Sequence, residues 1–299
     1  MDLYLHESNN LIKQHVKCYF KDSKLLENPV KYSLHGGKRI RASIVLDVCR
    51  SVSGGKREAG ICSNVIEYIH TASLVIDDLP CMDNALTRRE QKSVHVKYGE
   101  AVAQLVSVTL ISMAMDSISK GIKDKVTSGE LTNEEGYKLG MFIMENLSFT
   151  IGNRGASGGQ LLDLSDKNDV GEVLKEISKE TSIEEIIEKK TGTFFETSFL
   201  LGWILGGGED SKREIIKVMS KNFSELYQIV DDIIDMKEDE EKNKKNVNQN
   251  YALKYGKETA KKVVKERSDI CKEMMRELGI ESIYLTNVIE KLLSMAESA

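Results

Sequence analysis

Proline is almost missing: Pro29 and Pro80 are the only two in a chain of 299 residues. Proline breaks helix interiors and collects in loop-rich β proteins, so its scarcity favours long helices and an all-α fold. Cysteine is sparse and unpatterned. The five residues Cys18, Cys49, Cys62, Cys81 and Cys271 are odd in number and show no CxxC spacing. That excludes a disulfide framework and a zinc site built on such pairs, and it predicts a reduced, cytosolic setting. A basic surplus is absent as well. The formal charge of −5 and pI near 5.7 exclude a nucleic-acid surface, which needs concentrated Lys and Arg. No secretory hydrophobic region opens the chain, because Asp2, Glu7, Lys13 and Lys17 punctuate residues 1–20. No later run is read as reaching the ~18 apolar residues of a membrane span, so no span is expected. Neither a Pro/Ser-rich linker nor a low-complexity break divides the chain, which predicts one helical domain over residues 1–299.

What is present is helical periodicity. With 40% apolar and 30% charged residues the chain can bury a large core. Apolar residues recur at three- and four-residue spacing through roughly 3–20, 38–53, 59–79, 100–122, 132–151, 183–206, 212–236, 252–278 and 281–297. Glycine and charge mark the gaps at Gly36-Gly37, Gly54-Gly55, Gly152 to Gly159, Gly206 to Gly208 and Lys237 to Asn246. The run Ser198 to Leu205 is apolar on several sides and reads as a central helix surrounded by others. The expectation is a large bundle of about ten or more helices around a central cleft.

Two acidic clusters stand out against this background. Asp77, Asp78 and Asp83 end one apolar helix, and Asp231, Asp232 and Asp235 sit on another. The second set is spaced i,i+3 and i,i+4, so all three carboxylates can share one helix face. In the first set Asp77 and Asp83 would point about 240° apart on a straight helix. Pro80 between them predicts an unwinding that returns Asp83 toward Asp77. Either cluster alone is more often a solvated helix end than a metal site. Together they form strongly acidic faces that a cation must neutralise, and hard oxygen donors in small number suit Mg²⁺ shared with phosphate. Three basic groups supply the matching anion chemistry: Gly36 to Arg41, Arg88-Arg89, and Lys190-Thr191-Gly192.

Taken in order, Gly36-Gly-Lys-Arg-Ile-Arg41, Asp77-Asp-Leu-Pro-Cys-Met-Asp83, Arg88-Arg89, Gly158-Gly-Gln-Leu-Leu-Asp163, Lys190-Thr-Gly192 and Tyr227-Gln-Ile-Val-Asp-Asp-Ile-Ile-Asp235 resemble the motifs of the polyprenyl synthetase family. The four residues between Asp78 and Asp83 make the resemblance strongest to geranylgeranyl diphosphate synthases of plant and bacterial type. The resemblance implies an isoprenoid synthase fold, a homodimer, and joining of isopentenyl diphosphate to dimethylallyl, geranyl or farnesyl diphosphate. It implies that Asp77, Asp78, Asp83, Asp231, Asp232 and Asp235 hold three Mg²⁺. It places Arg88 and Lys190 on the allylic diphosphate, and Lys38, Arg41, His70 and Arg89 around isopentenyl diphosphate. Thr191 and Gln228 match positions whose oxygens face the carbocation, and Lys245 matches a lysine that closes over the allylic diphosphate. The same resemblance makes the helix before Asp77 the wall along which the product grows. Ser73 and Ala72 are small there, which lets a C15 chain pass. Ile69 and Tyr68 lie deeper, Tyr68 being the expected floor with Met113 or Met115 as companions. The implied product is geranylgeranyl diphosphate, C20, with farnesyl diphosphate, C15, as the alternative.

Departures from the family pattern also show. Ala85 and Leu86 replace two acidic positions, Glu90 stands at a glycine position, and Val108 stands where an aspartate is common. These bear on efficiency and lid closure, while every primary ligand position is filled. A non-catalytic partner subunit of the same fold and a class I terpene cyclase remain as other readings. The intact aspartates oppose the first, and the Gly36 to Arg41 turn opposes the second.

Overall fold

The spacing of apolar residues translates into helices nearly throughout. The computed structural model describes residues 2–164, 182–242 and 250–299. In chain order the helices are α1 (Asp2–Tyr19), α2 (Glu27–Ser33), α3 (Ile40–Ser53), α4 (Asn64–Asp77), α5 (Val94–Tyr98), α6 (Glu100–Thr127), α7 (Asn133–Ile151) and α8 (Ala156–Leu164). After the segment at 165–181 come α9 (Ile183–Ile187), a π-helical turn (Glu188–Gly192), α10 (Thr193–Leu205), α11 (Arg213–Lys242), α12 (Tyr251–Tyr255), α13 (Lys257–Leu278) and α14 (Ile283–Ser298). The all-α expectation holds. Among the described residues one small ribbon interrupts it, in which β1 (Thr87–Arg88) pairs antiparallel with β2 (Gln91–Lys92) and Thr87 lies opposite Lys92.

α10 is the central helix. Its residues bury almost all round, and it joins two apolar clusters: Phe194 and Leu201 belong with α3, α4 and α6, while Phe195, Phe199 and Leu200 belong with α11, α13 and α14. It lies tightly on α3, where a Cβ on Gly202 would sit 2.7 Å from Val48 Cβ. α4 and α6 pack side by side, as do α11 and α13. This arrangement presents the C-terminal end of α4 and the middle of α11 to a common cleft region.

Three expectations change. The glycines at 152–159 do not leave a gap throughout; α8 begins at Ala156 and contains Gly158 and Gly159. Gly159 is needed for approach, since a Cβ there would sit 2.6 Å from the Lys190 backbone nitrogen. The segment 252–278 is split at Gly256, whose φ of +87° ends α12 before α13 starts. Finally, α6 is long and apolar enough to cross a membrane by length and composition, with a window of mean hydropathy 1.6 of which 44% is buried. The reading that no run reaches that length is corrected: interspersed serines hide the apolar character of this helix. Its exposed side carries Leu105, Val108 and Met115, together with Ala101, Ser112 and Ser119. These recur with alternating four- and three-residue spacing, the pattern of a helix-packing seam.

Candidate active site

Pro80 does what its position requires. α4 stops at Asp77 and the chain folds back on itself, so that Asp83 N–H donates to Asp77 C=O at 2.9 Å and Ala85 N–H to Asp78 C=O at 3.2 Å. Asp83 thereby returns to the neighbourhood of Asp77. Burial pushes the Asp77 carboxyl up to about 6; Lys190 opposes the rise and Asp83 adds to it. Asp78 turns the other way. Its Oδ1 accepts from Arg88 Nε at 3.0 Å and Nη2 at 2.5 Å, with the carboxylate almost wholly buried.

The second cluster divides in the same manner. Asp231 and Asp235 are i,i+4 on unbroken α11, and the Asp231 carboxyl is also pushed up to about 6, mainly by burial, with Lys38 lowering it and Asp235 and Asp232 raising it. Asp232 serves the scaffold: Oδ1 accepts from Gln228 Nε2 at 3.0 Å and Oδ2 from Tyr251 N–H at 2.8 Å. Its backbone carbonyl accepts from Asn250 Nδ2 at 2.8 Å, which ties α12 to α11. The six aspartates are therefore not placed alike: Asp78 Oδ1 and both oxygens of Asp232 accept hydrogen bonds from protein donors.

A cationic cleft of about 830 Å³ lies between these clusters, lined by Lys38, Arg41, His70, Arg88, Arg89 and Asp231, with Thr191, Gln228 and Glu90 also at its wall. Arg39, in the same turn as Lys38 and Arg41, behaves differently. It adopts φ +53° and turns inward, donating Nη1 to Glu67 Oε2 at 3.2 Å, Nε to Asn9 Oδ1 at 3.0 Å, and Nη2 to the Leu34 carbonyl. Gly37 leaves room for that guanidinium, because a Cβ there would sit 2.6 Å from Arg39 Nη1. Arg41 Nη1 donates to His70 Nε2 at 3.2 Å, and its guanidinium stacks 4.5 Å from the Phe195 ring centroid. Since arginine can only donate, Nε2 of His70 accepts and the proton sits on Nδ1. Burial first, then Arg41, holds the His70 pKa well below its ordinary value, so the ring is neutral at pH 7. Arg89 Nη1 reaches the His35 carbonyl at 3.3 Å. Arg89 and Glu90 form the two-residue turn of the ribbon, both with positive φ (53° and 61°), the geometry of a type I′ hairpin that glycine accommodates best.

Lys190 and Thr191 come from the π-helical turn, whose extra residue sends adjacent side chains to different partners. Lys190 Nζ donates to Asp163 Oδ2 at 2.6 Å and lies near Asp77, whereas Thr191 Oγ1 donates to Gln228 Oε1 at 3.2 Å. Asp163, quoted within the motif but given no role from sequence, thus anchors Lys190. Glu67, Asn250 and Tyr251 were not anticipated, and no local spacing signals them.

Behind Asp77 runs a second, apolar cavity of about 400 Å³. Ile69, Ala72, Ser73 and Ile76 of α4 line it, spaced to share one helix face, opposite Ile111, Ile151 and Phe194. Ala72 and Ser73 lie along it as expected, and the deepest α4 residue is Ile69. Tyr68 does not line it. One residue from Ile69 means about 100° around the helix, and Tyr68 points to α1, its hydroxyl 2.9 Å from His15 Nδ1. Met113 is buried in the core and Met115 is exposed, and α6 contributes Ile111 instead. The floor assigned to Tyr68, Met113 or Met115 is corrected on this geometry. Lys245 lies outside the described residues.

Among the described residues no three carboxylate, histidine or cysteine side chains converge tightly enough to cage a metal ion. Each cluster instead offers a pair, Asp77 with Asp83 and Asp231 with Asp235. Paired hard oxygens, each pair holding one buried carboxyl of raised pKa, fit Mg²⁺, which keeps waters and takes its remaining ligands from phosphate.

Residues 23–269 match the family model described as Polyprenyl synthetase. A heterodimeric geranylgeranyl pyrophosphate synthase large subunit 2 of Arabidopsis thaliana is 36% identical over 202 residues, 68% of this chain and 50% of that protein. A chloroplastic geranylgeranyl pyrophosphate synthase of Capsicum annuum is 34% identical over 217 residues, 72% of this chain and 54% of that protein. The chain thus spans about half the length of these curated relatives. A crystal structure of geranyltransferase from Legionella pneumophila superposes with a TM-score of 0.77 at 22% identity, covering 99% of this chain and 96% of that one.

Proposed function

This chain belongs to the polyprenyl synthetase family, and from that premise we propose that it is a trans-prenyltransferase making geranylgeranyl diphosphate from isopentenyl diphosphate and an allylic diphosphate. The observation that carries the reading is the pairing of cavities: a cationic cleft of about 830 Å³ beside an apolar cavity of about 400 Å³ that begins at Asp77. One suits a diphosphate, the other a hydrocarbon tail.

Lys38, Arg41 and Arg89 bind isopentenyl diphosphate, and neutral His70 keeps Arg41 aimed at it through their 3.2 Å hydrogen bond. Lys190, anchored by Asp163, binds the allylic diphosphate. Asp77 and Asp83 on one wall and Asp231 and Asp235 on the other would hold Mg²⁺, whose charge favours departure of the diphosphate. The allylic C1–O bond breaks and its electron pair leaves with the diphosphate. The isopentenyl double bond then supplies the pair for the new carbon–carbon bond, and the proton lost from the adjacent carbon passes to the released diphosphate. Apolar α4 and α10 side chains keep water from the cation.

The exposed α6 seam around Leu105, Val108 and Met115 is proposed to be covered by a second copy of this chain. The cytosolic location inferred from the cysteines belongs to the same proposal. Labelled isopentenyl diphosphate with each allylic primer and Mg²⁺ tests the activity, product length being read by chromatography. C20 supports the full reading, C15 moves it to the farnesyl alternative, and no elongation with any primer rejects it.

A further inference from the structure

The hairpin of α1 and α2 carries a charge opposite to that of the whole chain. Residues 13–31 hold Lys13, Lys17, Lys21, Lys24 and Lys31 against Asp22 and Glu27, a balance of +3 in a chain of −5. All five lysines are exposed. Glu27 is taken by Lys31 at 2.7 Å, and the other four lysines enter no ion pair among the described residues. Lys13 and Lys17 stand i,i+4 on α1, and Lys21 and Lys24 follow at the same kind of spacing in the connection to α2. Like charges so placed cost a helix stability unless something anionic faces them. Apolar surface lies among these lysines. A groove of about 690 Å³ runs between α1 and the end of α2, floored by Ile12, Val16 and Leu34 and rimmed by Lys13, Lys17 and Lys31, and no carboxylate lines it. In the connection, beside Lys24, Leu25 is 91% exposed, more than any other large apolar side chain among the described residues.

We propose that the α1–α2 hairpin docks the protein on an anionic membrane surface, its lysines meeting the headgroups and Leu25 entering the boundary between headgroups and acyl chains. Neither signal suffices alone. A few lysines are attracted to anionic lipid but held loosely, and one leucine buries little; together they give reversible, salt-sensitive binding. A second copy of this chain is a poor occupant, because an isologous contact through the hairpin would set lysines against lysines. The docking face adjoins the catalytic region: His35, Gly36 and Arg39 line both this groove and the cationic cleft. The inference does not require the activity proposed above. Given that activity, a C20 diphosphate is released beside the lipid into which its chain partitions.

Co-sedimentation of the full chain with lipid vesicles tests this. At about 0.1 M NaCl it should pellet with phosphatidylcholine vesicles containing about 30% phosphatidylserine and not with phosphatidylcholine alone, and about 0.5 M NaCl should release it. An anionic surface favours each nearby lysine about fivefold, so K13Q/K17Q should bind about 25-fold more weakly. L25S should bind more weakly at either salt concentration, since its loss is apolar and unscreened. Both variants should melt as wild type does, because all three side chains are exposed. A wild type that ignores phosphatidylserine vesicles overturns the proposal whatever the variants do. So does K13Q/K17Q binding within about threefold of wild type. Displacement from the vesicles by about 1 mM inorganic diphosphate at constant ionic strength makes the hairpin a free-phosphate site instead, and that also overturns membrane docking.

Discussion

Glu67→Gln is the perturbation that best probes how the cationic cleft is held. Arg39 and Glu67 are each 3% exposed at the side chain, and they pair at 3.2 Å beneath the turn that carries Lys38 and Arg41. Glu67 uses both oxygens, Oε2 for Arg39 and Oε1 for Ala42 N–H at 3.1 Å, the first turn of α3. Glutamine has only one acceptor, so one donor must face an NH₂ group, and the buried guanidinium loses its counter-charge. Breaking one side of a buried ion pair costs about 3–5 kcal/mol. At about 2 °C per kcal/mol for a chain of this size, Tm should fall by roughly 6–10 °C in a thermal denaturation followed by circular dichroism. Replacing both partners by apolar residues, Arg39→Met with Glu67→Leu, should recover much of that loss, because no uncompensated charge remains. The isopentenyl diphosphate KM should rise in Glu67→Gln, as Lys38 and Arg41 flank the loosened residue. A Tm within about 2 °C of wild type would refute the reasoning, since it would mean that the pair carries no net electrostatic load.

Metal-free stability should depend on pH through Asp77 and Asp231, each raised from 3.8 to about 6. A raised native pKa gives stability that is complete below pH 4 and lost as pH rises through 6, roughly 3 kcal/mol per group. Asp77→Asn should therefore raise the metal-free Tm at pH 7.5 but not at pH 4, and an equal effect at both would contradict the burial argument. Ala72→Tyr should shorten the main product to C15, because Ala72 lines the cavity; an unchanged product distribution by chromatography would remove α4 as the ruler. Tyr68→Phe loses the 2.9 Å bond to His15 and should cost about 1 kcal/mol in denaturant unfolding without altering product length.

Much of this was legible from spacing alone. The long helices followed apolar periodicity, whereas the short ones at Glu27–Ser33 and Val94–Tyr98 and the break at Gly256 did not; the return of Asp83 toward Asp77 followed from one proline between carboxylates that a straight helix would separate. What sequence did not reveal was direction. Asp77 and Asp78 are neighbours of identical chemistry, yet Arg88 from the ribbon claims one and leaves the other in the cavity. Tyr68 stands beside Ile69, and a rotation of about 100° sends it to His15 rather than to the product wall. Arg39 reads as one more phosphate ligand until its buried partner Glu67, 28 residues away, is seen. Long-range partners decide such cases, and neither propensity nor periodicity encodes them.

The central claim is that both acidic pairs act on one departing diphosphate, and Mg²⁺-dependent turnover of Asp77→Ala and Asp231→Ala beside wild type tests it most directly. With geranyl and isopentenyl diphosphates, each variant should lose at least about 10²-fold in kcat while melting cooperatively, because neither pair alone completes the clamp. Near-wild-type turnover in either variant would contradict the account.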